Sequence, residues 1–138
     1  MKGKVTGLGG VFIKCKDPKA MQKFYAECLG MNTNDYGVGF EFVKENGGSG
    51  FLQLGTFEEG SDYFGEPKQK AMLNFRVDDL LGLIDHLKEK GIKIVNELED
   101  FEYGKFIHIL DIDGNRIELW EPKDAFFAAD GSPKQKMS

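Results

Sequence analysis

The sequence predicts an α+β fold made of two similar modules, each with one strand, one helix and three further strands. A strand followed by a capped helix occurs twice along the chain, and a hairpin signal follows each copy. The length of 138 residues suits one domain. A module of about 50 residues has too little core to be stable by itself, so the two copies are expected to pack together.

The first module opens with a strand in which apolar side chains alternate, at Val11, Ile13 and Cys15. Asp17 can cap a helix, and Pro18 suits the first helical position. The helix is expected to bury one face, because apolar residues occur at i, i+3, i+4 and i+7: Met21, Phe24, Tyr25 and Cys28. Gly30 is the expected left-handed end of this helix.

The second module repeats this order. Its opening strand has apolar residues that are expected to face the core, at Leu73, Phe75 and Val77. Asp79 is the expected helix cap and Gly91 the expected end. Between them the helix carries the same apolar spacing, at Leu80, Leu83, Ile84 and Leu87.

Turn signals place a hairpin near the end of each module. Asn46-Gly47 lies between apolar runs at 40–44 and 51–54, and Asp113-Gly114 lies between runs at 106–110 and 117–120. Further strands are expected at 33–38 and 92–97. The resulting boundaries are 8–55 for module one, 56–70 for a connection, 71–122 for module two, and 123–138 for a polar C-terminal tail that is expected to be disordered.

The amino-acid composition argues against several classes of function. Apolar residues make up 41% and charged residues 30%, as in ordinary globular proteins, and no apolar run approaches the ~18 residues that a membrane span needs. The net charge of −5, without a basic block, argues against a nucleic-acid or anionic-membrane partner. Because no apolar signal core follows the N-terminus, a cytoplasmic location is expected, with Cys15 and Cys28 as buried, reduced thiols.

Three segments carry a resemblance to a known family. They are Gly-Val-Phe-Ile-Lys-Cys-Lys-Asp-Pro … Phe-Tyr … Leu-Gly-Met at 10–31, Asn-Phe-Arg-Val-Asp-Asp-Leu at 74–80, and Asp-Ile-Asp-Gly-Asn-Arg-Ile-Glu-Leu-Trp-Glu-Pro at 111–122. Together they resemble the vicinal oxygen chelate superfamily, which contains glyoxalase I, bleomycin-resistance proteins and extradiol dioxygenases. The resemblance implies a curved mixed sheet around a trough, helices on the outer face, and a homodimer.

The resemblance also implies a divalent metal in the trough, held from the first and last strands of each module. The matching positions here are Gly10, Gln53, Met72 and Glu118. Only Glu118 is a strong ligand, because glycine has no side chain, a thioether is soft and an amide oxygen is weak. A catalytic metal needs about three protein ligands. No metal cofactor is therefore expected, and an unfamiliar set of Glu118, Gln53 and His108 is the alternative.

Strand parity predicts which side chains face the trough. In the runs at 106–110 and 117–120, the aliphatic side chains at every second position are expected to face the helices. The side chains that alternate with them are then expected to face the trough: Phe106, His108, Glu118 and Trp120. The expected ligand-binding residues, with Tyr63 from the connection, are Phe12, Lys14, Gln53, Tyr63, Met72, Asn74, Arg76, Phe106 and Trp120. Such an apolar, aromatic pocket with a few charged groups is typical of a small-molecule site, although the aromatic residues can also fill the trough as a second core.

Glu118 and His108 are the candidate catalytic residues. Glu118 is expected to act as a general acid or base, with His108 as its proton-transfer partner. The alternatives are a structural Glu118 paired with Lys14 or Arg76, and a His108 that only hydrogen-bonds its surroundings. Lys14 and Arg76 can also anchor an anionic ligand group. Residues 61–65 can form a lid, or a loop fixed to their own module or to a partner subunit.

Three functions remain open at this point. A metal-independent protein that binds a small apolar or aromatic molecule, as in the bleomycin-resistance branch, is favoured by the lost metal positions and the aromatic trough. The alternative is a glyoxalase-like lyase, isomerase or dioxygenase that uses Glu118 with a non-standard metal set or with no metal. A third interpretation is a module with an interaction role and no ligand.

Overall fold

The computed structural model describes residues 2–124, and its elements follow the predicted order. The strands are β1 (Val5–Cys15), β2 (Thr33–Asn34), β3 (Gly37–Val43), β4 (Ser49–Glu58), β5 (Ala71–Val77), β6 (Glu99–Phe101), β7 (Gly104–Leu110) and β8 (Arg116–Pro122). The helices are α1 (Pro18–Leu29) and α2 (Leu80–Glu89). The expected C-terminal tail, apart from Lys123 and Asp124, lies outside the described residues.

The strands of residues 2–124 form one mixed, curved sheet in the order β2-β3-β4-β1-β5-β8-β7-β6. Within each module the first and last strands are parallel neighbours, β1 beside β4 and β5 beside β8. The modules join where β1 runs antiparallel to β5, so they pair within one chain. The predicted α+β fold with helices and a curved mixed sheet is confirmed.

Both helices begin where the capping signals predict. The carboxylate of Asp17 accepts a hydrogen bond from the backbone N–H of Ala20 at 3.1 Å, and that of Asp79 accepts one from Gly82 at 3.1 Å. Gly30 ends α1 with a φ of 69°, a left-handed conformation that glycine adopts without a steric penalty. The two hairpins also form between the expected runs, β3 with β4 and β7 with β8.

α2 packs on the apolar face of module two. The buried core beneath it consists of Val77, Leu80, Leu83, Ile107 and Leu119. Because successive strand residues point to opposite faces, Glu118 and Trp120 lie on the other side of the sheet from α2. The helix therefore determines which face of the sheet can carry a site.

α1 packs differently from the expectation. Phe24 is 50% exposed and Cys28 is also exposed, whereas the polar Gln22 is buried. The side-chain amide of Gln22 donates a hydrogen bond to the hydroxyl of Thr56 on β4 at 2.9 Å. α1 thus meets β4 through a buried polar contact, and Met21 and Tyr25 of its apolar stripe are only partly buried. The predicted buried face of α1 was wrong for Phe24 and Cys28, and the prediction of a buried thiol holds for Cys15 but not for Cys28.

Two strand predictions also need correction. Residues 92–97 form no strand, because Ile94 makes only one isolated bridge with Ile109 and the edge strand starts at Glu99. The segment is still tied to the end of α2, where the N–H of Ile92 donates to a helix carbonyl at 2.9 Å. Leu73, expected in the core, is 43% exposed, since it lies beyond the cluster buried under α2. Neither α1 nor α2, the helices of the described chain, is long and apolar enough to cross a membrane.

Candidate functional site

A cavity of about 450 Å³ lies on the sheet face opposite α2. Both modules contribute to it, and its walls are mainly aromatic. Of the residues predicted from the sequence, those that line it are Phe12, Gln53, Tyr63, Asn74, Phe106, Glu118 and Trp120. Strand parity thus places the strand residues of this set together on one face of the sheet, and Tyr63 joins them from the connection.

Glu118 is the buried centre of the site and is only 2% exposed. Its Oε1 accepts a hydrogen bond from Nδ2 of Asn74 at 2.6 Å. Its Oε2 lies 2.8 Å from Nε2 of His108 and also accepts a hydrogen bond from the hydroxyl of Tyr63. Three donors therefore surround one carboxylate, which is the arrangement that makes a buried negative charge tolerable.

Arg116 determines the tautomer of His108. Its Nη1 lies 3.1 Å from Nδ1 of the imidazole. A guanidinium can only donate, so Nδ1 is the acceptor and the ring proton resides on Nε2, from which it is donated to Glu118. The backbone N–H of His108 is held by Oδ1 of Asn96 at 2.7 Å. His108 is therefore a neutral donor that orients Glu118.

The connection between the modules contributes Tyr63. Its ring stacks on Phe57 with centroids 5.6 Å apart and meets His108 edge-on with centroids 5.0 Å apart. Burial, and then the negative charge of Glu118, raise the pKa of Tyr63 far above its usual range. The phenol consequently keeps its proton and continues to donate it to Glu118 near neutral pH.

Two glycines make room for the indole of Trp120. A Cβ atom at Gly9 would press on the indole ring, and a Cβ atom at Gly104 would collide with its Nε1. The indole also stacks on the ring of Phe106, with ring centroids 5.9 Å apart and planes 7° from parallel. Trp120 therefore forms a fixed aromatic wall of the cavity.

Three of the predicted residues lie close to the cavity without lining it. His108 lies behind Glu118, and Met72 is buried with an exposure of 1%. The ammonium group of Lys14 lies 5.1 Å from the ring centre of Phe64. Lys14 is thus directed to an aromatic ring of the connection and not to Glu118.

Arg76 is a fourth predicted residue that does not line the cavity, and other groups of the protein bind its guanidinium. Its Nη2 forms an ion pair with Asp124, and its Nη1 donates to the backbone carbonyl of Phe51 at 2.9 Å. Lys44 binds the same carboxylate of Asp124 at 3.1 Å. The guanidinium is therefore bound by the protein itself and also lies 5.3 Å from the ring centre of Trp120, and Arg76 as a whole is 4% exposed, so it does not pair with Glu118.

The sequence reasoning missed several residues of the lining. Phe51 and Phe57 share the strand face of Gln53; alternation within the run at 51–54 marks Phe51, and its continuation along β4 beyond residue 54 marks Phe57. Asp35, Tyr36 and Tyr103 lie in turns at the exposed end of the cavity. No periodic pattern marks such turn residues, so the sequence alone could not assign them.

The divalent metal that the resemblance implies does not fit the side chains at the matching positions. Gly10 offers no donor, and a Cβ atom there would collide with the backbone oxygen of Gln53. Both oxygens of Glu118 already accept hydrogen bonds, and Met72 offers only a soft thioether. Within residues 2–124, no group of three or more His, Cys, Asp or Glu side chains is arranged to hold a metal ion.

Comparison with known proteins agrees with the fold and with the motifs. Residues 7–119 match the family described as the Glyoxalase/Bleomycin resistance protein/Dioxygenase superfamily. The uncharacterized protein YetH of Bacillus subtilis (strain 168) is 31% identical over 124 residues, which cover 85% of this chain and 99% of that protein. The uncharacterized protein YraH of the same organism is 28% identical over 115 residues, covering 76% and 90%.

Solved structures share the fold at lower identity. A methylmalonyl-CoA epimerase in complex with methylmalonyl-CoA and NH4+ has a TM-score of 0.65 and 18% identity, with coverage of 94% of this chain and 100% of that chain. The methylmalonyl-CoA epimerase of Mycobacterium tuberculosis has a TM-score of 0.61 and 23% identity, with coverage of 88% and 91%. On the family match and the YetH relationship, the chain belongs to the Glyoxalase/Bleomycin resistance protein/Dioxygenase superfamily.

Proposed function

We propose that the chain binds a small, largely aromatic molecule in its cavity and does so without a divalent metal. One observation carries the proposal: aromatic walls enclose a single buried carboxylate, Glu118, whose two oxygens are held by three donors of the protein. The volume of about 450 Å³ lies within the range of about 300–1,000 Å³ that small-molecule pockets occupy. The buried indole of Trp120, which stacks on Phe106 and lies under the guanidinium of Arg76, forms part of this aromatic enclosure.

Binding of a neutral aromatic probe tests this proposal. Calorimetric titration with 2-naphthylmethanol should detect binding, and Trp120→Ala should weaken it by about 1–3 kcal/mol, because the substitution removes a buried aromatic wall. Phe24→Ala is the matched control, since Phe24 is a half-exposed aromatic residue on the helix side of module one. Equal losses of affinity in the two variants would contradict the proposed site.

Metal independence has its own test. Zinc, nickel, manganese or iron should change the melting temperature little, because an ion stabilises the fold only as far as it binds the native state. A rise of several degrees with one of these ions, abolished by Glu118→Gln, would contradict the proposal. Elemental analysis of chain purified without chelator provides an independent readout.

A glyoxalase-like enzyme that transfers a proton is the second candidate. It is favoured by the pairing of Glu118 with Tyr63, since both side chains line the cavity and share a hydrogen bond. Native mass spectrometry can identify a molecule that copurifies with the chain, and NMR in D2O can then follow exchange of its C–H protons. Exchange by the wild type that disappears in Glu118→Gln would support the enzyme, and binding without exchange would support the first candidate.

A homodimer is part of the same proposal. Module one exposes apolar side chains outside the cavity, among them Phe24, Leu29 and Val43, and a two-fold interface would cover such a surface. The edge strands β2 and β6 are short, so side chains rather than open strand edges support the dimer. Sedimentation that shows only a 15.5 kDa monomer at micromolar concentration would contradict it.

A further inference from the structure

The charged groups that face the cavity are negative. Among the described residues that line it, Glu118 and Asp35 are carboxylates and none is a lysine or an arginine. The donors to Glu118 are an amide, a phenol and a neutral imidazole, so they stabilise its charge without cancelling it. Arg116 is separated from Glu118 by the ring of His108.

Two tyrosines of the cavity, Tyr63 and Tyr103, lie close to negative charges. After burial, the charge of Glu118 raises the pKa of Tyr63, and Glu99 on β6 acts in the same direction. After burial, Glu99 also raises the pKa of Tyr103. The negative field therefore extends from the buried end of the cavity, at Glu118, to the turn that carries Tyr103.

A buried acceptor without a donor lies in the same lining. Asn74 is 2% exposed, and its Oδ1 has no hydrogen-bond partner within the described chain. Its Nδ2 donates to Glu118, which fixes the orientation of the amide. Gln53 supplies the complementary group, a buried Nε2 donor that also lacks a partner. One lone amide donor does not replace the cation that an anionic ligand group would need.

We infer that this cavity selects an aromatic molecule carrying a cationic amine over a neutral or anionic molecule of the same shape. The inference rests on the proposed binding function and names the class of ligand. The aromatic walls attract a cation, the carboxylates of Glu118 and Asp35 balance its charge, and the unpaired Oδ1 of Asn74 adds partial negative charge to the same lining.

Three probes of one shape test the inference. They are 2-(aminomethyl)naphthalene, which is cationic at neutral pH, 2-naphthylmethanol, which is neutral, and naphthalene-2-carboxylate, which is anionic. At low ionic strength the amine should bind about tenfold more tightly than the carboxylate, with the alcohol between them. Added salt should narrow this difference, because Asp35 is exposed and its charge is screened.

Variants that each remove one negative charge test which carboxylates cause the preference for the amine. Asp35→Asn should reduce the preference for the amine over the carboxylate severalfold, and Glu118→Gln should reduce it further if the variant remains folded. Glu89→Gln is the control with the same charge change, since Glu89 is exposed at the end of α2 on the opposite face of the sheet. It should leave the preference unchanged.

The outcomes separate the inference from the function on which it rests. If none of the three probes binds, the proposed aromatic site is wrong and the inference falls with it. If the alcohol binds but the amine has no advantage, or if the carboxylate binds most tightly, only the charge preference is overturned. A preference that Glu89→Gln lowers as much as Asp35→Asn does would show that net charge, and not the cavity, is responsible.

Discussion

The two modules share one sequence pattern but differ in how their helices are held. In module two, α2 covers a buried apolar cluster that includes Leu80 and Ile107. In module one, the buried residue of α1 is Gln22, while Phe24 is half-exposed. A repeated sequence pattern therefore predicts repeated strands and helices, whereas the packing of each helix depends on the side chains of the sheet that it faces.

The same difference is visible at the site. Counted back from each helix cap, Phe12 in module one corresponds to Asn74 in module two. Asn74 pairs with Glu118 across the sheet, and Phe12 pairs with Gly55. Module two therefore supplies the buried polar centre of the cavity, and module one supplies an aromatic wall with one exposed carboxylate, Asp35.

The largest difference in stability between the two modules is expected when an apolar side chain of each helix is shortened. Leu80→Ala leaves a cavity under α2 and should lower the free energy of unfolding by about 2–5 kcal/mol. Phe24→Ala, at a position that is 50% exposed in module one, should cost far less. Urea denaturation of both variants measures the difference. Similar losses would show that α1 is packed as tightly as α2.

The next largest loss of stability is expected when the hydroxyl of Tyr63 is removed, because its hydrogen bond to Glu118 links the connection to module two. Tyr63→Phe removes a hydrogen bond to a charged group and should lower the free energy of unfolding by about 1.5–3 kcal/mol. Tyr36→Phe is the control, since Tyr36 is 60% exposed and belongs to module one. If chemical denaturation gives the same stability for Tyr63→Phe and the wild type, the bond to Glu118 is not holding the connection.

The two helix caps offer a smaller and closely matched contrast. Asp79→Ala and Asp17→Ala each remove a cap bond of 3.1 Å and should cost about 1 kcal/mol. The loss should be larger for Asp79→Ala, because fraying of α2 uncovers the fully buried Leu80, whereas the buried residue of α1 is the polar Gln22. Thermal unfolding of the pair measures this. A larger loss for Asp17→Ala would reverse the proposed roles of the modules.

The smallest effect near neutral pH concerns the proton of Tyr63. Because its pKa is raised in the folded chain, the folded state retains this proton at a pH where an unfolded tyrosine, with a pKa of about 10, loses it. The stabilisation is fully present below about pH 10 and is lost progressively as the pH rises above that value. Tyrosinate absorbance should show one group that ionises only on unfolding and that is missing in Tyr63→Phe. Ionisation of all tyrosines together in the folded chain would contradict this.

Local signals predicted most of the elements correctly. Asp17 and Asp79 mark helix starts through hydrogen bonds to their own helices, and alternation in β8 determines that Glu118 faces away from α2. These features depend on neighbours within a few residues, which a sequence displays directly. The fold class and the face of the sheet that carries Glu118 could therefore be predicted.

Contacts between distant segments could not be predicted in the same way. Arg76 shares a strand face with Asn74, yet its guanidinium is bound by Asp124, which is 48 residues away in the chain. Asn96 holds the backbone of His108 from a segment that was expected to be a strand. Tyr36 and Tyr103 enter the lining from turns. Each of these placements depends on tertiary structure, for which the sequence carries no periodic signal.

The shape of the cavity also limits how this protein can change over evolutionary time. Gly9 and Gly104 lie against Trp120, and the space that their missing side chains leave is filled by the indole and by Asn74. Mutation at either position can only add atoms where there is no room, so selection there acts on the absence of a side chain. Replacing Trp120 would free neither position by itself, because Oδ1 of Asn74 also lies against Gly9, and Gly104 has a φ of 140° and lies against the backbone oxygen of Glu121.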